Sequence, residues 1–218
     1  MMARLFSIIT ALFISGMLLF VACGSDESGP LGHDDHDDHD VGHDDHDDHD
    51  DHHDHGPGEE ELITTVVLTL TPLTGGTPIS ARFQDLDGEG GNAPTVENLI
   101  VANSIVYNGS VELLNETETP AEDITEEVKE ESEEHQFFYE TTGGISSAVV
   151  TYADHESDYG ENIGTDHPVG IAFQLEIPQA ATNGSLRVIL SHYDHDPKDG
   201  STRSDETDID VTFDVIVE

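Results

Sequence analysis

Residues 59–218 predict an all-β fold, an antiparallel β-sandwich carrying one acidic helix. Two observations point there. Apolar and polar residues alternate with period two in segment after segment, and Gly, Asn and Asp turn residues separate the segments. A third observation sets the exception: a single stretch carries helix-start signals and a four-residue apolar spacing.

The elements follow in chain order. In ELITTVVLTLT (61–71), Leu62, Val66, Leu68 and Leu70 share one face and Thr65, Thr69 and Thr71 the other. PISARFQ sets Ile79, Ala81 and Phe83 against Ser80, Arg82 and Gln84. Residues 104–114, 136–140, 146–153 and 185–193 give weaker strand patterns. GIAFQLEIP sets Ile171, Phe173, Leu175 and Ile177 against Gln174 and Glu176. TDIDVTFDVIVE alternates most cleanly, with Ile209, Val211, Phe213, Val215 and Val217 inward and Asp208, Asp210, Thr212 and Asp214 outward. About eight strands of this kind suggest an immunoglobulin-like sandwich. The helix is expected over 120–134, with Thr119 as cap, Pro120 in the first turn, and Ile124 and Val128 docking on the sheets.

Upstream of the domain the composition changes twice. Residues 1–22 join Arg4 to an apolar run from Leu5 to Ala22, the pattern of a secretory signal. Phe20-Val21-Ala22-Cys23 resembles a bacterial lipobox, which implies cleavage before Cys23 and its lipidation. Residues 23–58 are then a lipid-anchored tether holding a His/Asp-rich tract. That tract has almost no apolar residue to offset the entropy of ordering, so it is expected to be disordered without a ligand.

The tract phrase Gly-His-Asp-Asp-His-Asp-Asp-His-Asp occurs twice, from Gly32 and from Gly42. Nine of the 14 histidines lie in it: His33, His36, His39, His43, His46, His49, His52, His53 and His55. A plain spacer needs no histidine. Imidazole and carboxylate together are ligands for divalent metal, zinc before others. Their i, i+3 recurrence brings rings within reach of one ion if the chain coils. The sites would be many and individually weak.

Charge narrows the partners further. The chain has 48 acidic and 6 basic residues, a formal charge of −42, which repels nucleic acid and attracts cations. Cys23 is the sole cysteine, and once lipidated it leaves no thiol for disulfide, Cys-zinc or thiol chemistry. No Gly-x-Ser-x-Gly, His-Glu-x-x-His or phosphate-loop motif occurs, and no enzymatic activity is expected.

Three smaller groups of candidate ligands lie within 59–218. In DLDGEGGN, Asp85, Asp87 and Glu89 alternate as in a calcium loop, without the bidentate acid that would complete it. Glu127, Glu131 and His135 are four apart and would form one face of the expected helix. His195 with Asp194 and Asp196 forms a loop cluster, whereas His192 shares a strand face with Leu186, Val188 and Leu190 and reads as a core-edge histidine.

EEELITTV (59–66), DLDGEGGNAP (85–94), LLNETETPAEDITEEVKEESEEHQFF (113–138) and TDIDVTFDVIVE (207–218) together are similar to a family of Bacteroidota lipoproteins. Its members commonly carry the label "type 1 periplasmic binding fold superfamily protein". The resemblance implies a His/Asp-rich or acidic N-terminal tract and a place beside a TonB-dependent outer-membrane receptor. It implies no activity. The label names a fold of two α/β lobes, but the alternating strands of 59–218 point to the sandwich instead. The function expected is an outer-membrane lipoprotein that binds divalent metal and serves TonB-dependent uptake or metal buffering. The alternative is an accessory ligand-binding or adhesion sandwich whose tract is only a charged tether.

Overall fold

The computed structural model describes residues 61–88, 90–160, 164–193 and 197–218. Cys23, the nine tract histidines, Glu89 and the 194–196 cluster lie outside them. The first strands are β1 (Thr65–Pro72), β2 (Ile79–Gln84), β3 (Thr95–Val96), β4 (Leu99–Val101), β5 (Val106–Asn115) and β6 (Glu122–Asp123). After helix α1 (Ile124–Glu130) come β7 (His135–Gly143), β8 (Val149–Tyr152), β9 (Ala172–Glu176), β10 (Gly184–His192) and β11 (Glu206–Val217).

They form two sheets. One runs β3-β2-β1-β5-β9-β8, with β6 against β5, and the other runs β4-β11-β10-β7. The expected all-β architecture with one helix is present. Pairing is antiparallel except between β4 and β11, which run parallel. Inward residues of both sheets build one core, among them Leu68, Leu113 and Phe173 from the first and Phe137, Val188 and Phe213 from the second. The alternation therefore reports burial: in β11, Ile209, Val211, Phe213 and Val215 are buried.

The helix is shorter than expected. Asp123, not Thr119, caps it, with the carboxylate accepting from Thr125 N–H. Residues 122–123 are held instead as a strand by β5. Its stripe is as expected, since Ile124 and Val128 are both buried. Past Glu130 the chain turns, and His135 opens β7. His135 is thus a strand residue rather than the end of a helical face. Leu62 also departs from the expected inward face: it precedes β1 and is 59% exposed.

Gly109 on β5 sits directly opposite Phe173 on β9, and a Cβ there would lie 2.3 Å from the ring. The ring folds over the glycine and fills its face of the sheet. Gly109→Ala should destabilise the domain by about 1–3 kcal/mol, through displacement of a buried aromatic. A lower urea midpoint with an unchanged m-value would record it.

Candidate metal centre

Two strand registers bring the centre together. His135 opens β7, His192 closes β10, and the antiparallel pairing sets them directly opposite. Their rings stand 4.5 Å apart, centroid to centroid. On the other side of β10 the register with β11 shifts: Leu190 faces Ile209 but Ser191 faces Thr207. Asp208 is the extra residue of this bulge. A bulge re-aims a side chain, and Asp208 leaves the wet face that strict alternation assigns it and turns inward. Its side chain is 1% exposed. Glu61, just ahead of β1, completes the group with a side chain 4% exposed.

These four residues form a buried cluster able to hold a metal ion, each offering one ligand atom within 4.8 Å of the others. His135 Nε2 lies 2.9 Å from Glu61 Oε1 and 3.6 Å from Asp208 Oδ2. His192 Nδ1 lies 3.4 Å from Asp208 Oδ1 and 3.9 Å from Glu61 Oε2. Four ligands at about 2.0–2.1 Å around a tetrahedral zinc would stand about 3.3 Å apart. The four nitrogen–oxygen separations, 2.9–3.9 Å, bracket that spacing.

Orphaned atoms separate this group from an ordinary buried polar network. Among the described residues, seven buried side-chain atoms lack a hydrogen-bond partner, and five belong to the cluster: Glu61 Oε2, His135 Nε2, His192 Nε2 and both oxygens of Asp208. The other two, on Gln136 and Ser191, are next to its histidines in sequence. Unpartnered buried polar atoms cost about 1–3 kcal/mol each, so their concentration at one point calls for a ligand.

The outer contacts prepare His135 to bind one. Its Nδ1 stands 3.1 Å from the Glu131 carbonyl. An N–H there leaves a lone pair on Nε2, facing the carboxylates. Lys198, itself buried, fixes the backbone of the same histidine. Its ammonium donates to the Ser132 and His135 carbonyls, each at 2.8 Å, and meets the Glu156 carboxylate at 2.9 Å.

Burial and mutual charge shift the titrating groups of the cluster. Burial and the neighbouring Glu61 charge push Asp208 up to about 6. Desolvation pulls His135 down, but Glu61 and Asp208 outweigh it and raise the imidazole above its ordinary value. Burial likewise pushes Glu61 up, and the close approach and charge of His135 carry it below the usual carboxylate range. Two carboxylates and two neutral imidazoles sum to −2, the charge that one divalent cation neutralises. Two nitrogens and two oxygens suit zinc, whereas calcium takes six to eight oxygens.

Other sequence candidates stand elsewhere. Asp85 accepts from Gly88 N–H, and Asp87 accepts from the Asn92 backbone and side chain, so both carboxylates close their own turn. Glu131 gives its main-chain carbonyl to His135. Glu61 and Asp208 were hidden among other acids, in an EEE run and on the polar face of a strand.

The chain matches no family model and no curated protein.

Proposed function

We propose that this chain is an outer-membrane lipoprotein that binds divalent metal, zinc above others, and serves TonB-dependent uptake or metal buffering. The observation that carries the metal reading is the convergence of unpartnered, buried ligand atoms from Glu61, His135, His192 and Asp208 in a set of net charge −2. The lipidated Cys23 and the receptor partner are supported by the lipobox-like sequence and by the family resemblance.

Two kinds of site would divide the work. The tract raises local metal concentration through many weak positions, a multivalency effect. The buried cluster, with four protein ligands and no open position, retains an ion rather than activating water. Its ligands join the chain ahead of β1 to the opposite sheet, so an ion there also fastens the start of β1 to that sheet.

Calorimetry with zinc, copper, nickel and calcium tests this. The mature protein should show one tight zinc site above a weak multi-site background. Changing the nine tract histidines to Asn should remove the background alone, and His135→Asn with Asp208→Asn the tight site alone. Calcium preference, or tight binding that survives the second change, would sink the reading. A second reading, an accessory ligand-binding module, draws on a half-open cleft of about 350 Å³ lined by Leu62, Ile63, Phe83, Leu86 and Ile209. It gains ground if no tight metal site is found.

A further inference from the structure

His192 has a nitrogen on each side of a wall. Nδ1 turns toward Glu61 and Asp208 inside the cluster. Nε2 faces Glu134 Oε2 at 3.8 Å. The histidine side chain is 4% exposed and its Nε2 has no hydrogen-bond partner, whereas the Glu134 side chain is 39% exposed. A buried, unpartnered ligand atom thus meets a carboxylate that reaches solvent. Their separation is too long for a hydrogen bond but near the roughly 3.3 Å expected between two ligands of one zinc.

Building on the buried-site reading, we propose that His192 Nε2 and Glu134 form an outer coordination position for a divalent cation, through which the ion passes into and out of the buried cluster. A closed set of four ligands needs such a position, because it can exchange its ion only by replacing ligands one at a time. The ion would first be held by Glu134 and Nε2, shedding water as it binds. It would then leave Nε2 for the oxygens of Glu61 and Asp208, which the other nitrogen of the ring, Nδ1, already faces. Glu61, Asp208 and His135 would take the ion as Glu134 lets go. No bond of the protein is made or broken, and the ion keeps its charge.

The test is zinc exchange in the full-length protein with its nine tract histidines changed to Asn. The protein is loaded with zinc, then mixed in stopped flow with excess chromophoric chelator; loading is followed separately. Glu134→Gln should slow release and loading together, each by about tenfold, the scale of a lost metal-site contact. Glu133→Gln makes the same charge change on an exposed neighbour and should leave both rates alone. Faster release with weaker binding would mean that Glu134 only orients His192, and the proposal would fall. Unchanged rates would overturn it equally. If the parent binds no zinc, or if its binding survives His135→Asn, the buried-site reading itself is overturned.

Discussion

Zinc at about a hundredfold excess over its dissociation constant should raise the melting temperature of the tract-substituted protein by roughly 5–10 °C. That excess is worth about 2.7 kcal/mol, and a domain of this size shifts by about 2–4 °C per kcal/mol. His135→Asn combined with Asp208→Asn should cancel the shift. The pH dependence has a definite sign. Asp208 titrates near 6 in the folded chain against an ordinary 3.8, and His135 above its ordinary 6.5. Both are therefore stabilising when protonated. The Asp208 contribution is complete below its unfolded value and lost as pH rises through about 6; that of His135 is lost as pH rises beyond 6.5. Glu61, lowered from 4.5, runs the other way and loses its contribution as pH falls. From about pH 5 to 8 the metal-free protein should lose stability at this site. Zinc needs the same groups deprotonated, so its stabilisation should grow over that range. Melting curves at pH 5, 6.5 and 8 would record it, and a shift largest at pH 5 would contradict it.

Lys198→Met should destabilise the fold by about 3–5 kcal/mol, the cost of leaving one partner of a buried ion pair behind. The Lys198 and Glu156 side chains are only 3% and 5% exposed, and the ammonium also satisfies two carbonyls. Burial already lowers the lysine from its ordinary value, with Glu156 resisting the shift. Adding Glu156→Gln removes the uncompensated charge and should recover a large part of the loss. Because one of those carbonyls belongs to His135, the single variant should also bind zinc more weakly. Urea unfolding of the two variants separates the ion pair from the packing of the lysine stem.

The sandwich was legible because burial on one face writes itself into alternation. The segments at 61–71, 79–84, 171–177 and 207–218 all contain strands. The helix was misplaced at both ends, since Thr119-Pro120 and the acidic run through Glu134 imitate start and continuation signals. What ended it was tertiary: β5 recruits Glu122 and Asp123, and β7 recruits His135.

The buried centre was legible only in fragments. The four-residue spacing that marks His135 is not helical in the fold, and the strand pattern around His192 marks it only as a core-edge residue. Their opposition depends on the β7–β10 register, which no local pattern specifies. Asp208 turns inward through a bulge of one residue, and period-two reasoning assigns such a residue to the wrong face. Glu61 resembles the acids around it until the fold buries it. Two histidines at the ends of adjacent strand segments, each beside an acidic stretch, were the signal available in the sequence.

The most direct measurement is a crystal structure of the zinc-loaded protein with anomalous diffraction collected at the zinc edge. One strong peak is expected among Glu61, His135, His192 and Asp208, with His135 Nε2, His192 Nδ1 and one oxygen of each carboxylate about 2.0–2.2 Å from it. An empty cluster, its four side chains placed as they are here while zinc occupies other positions, would contradict the metal centre.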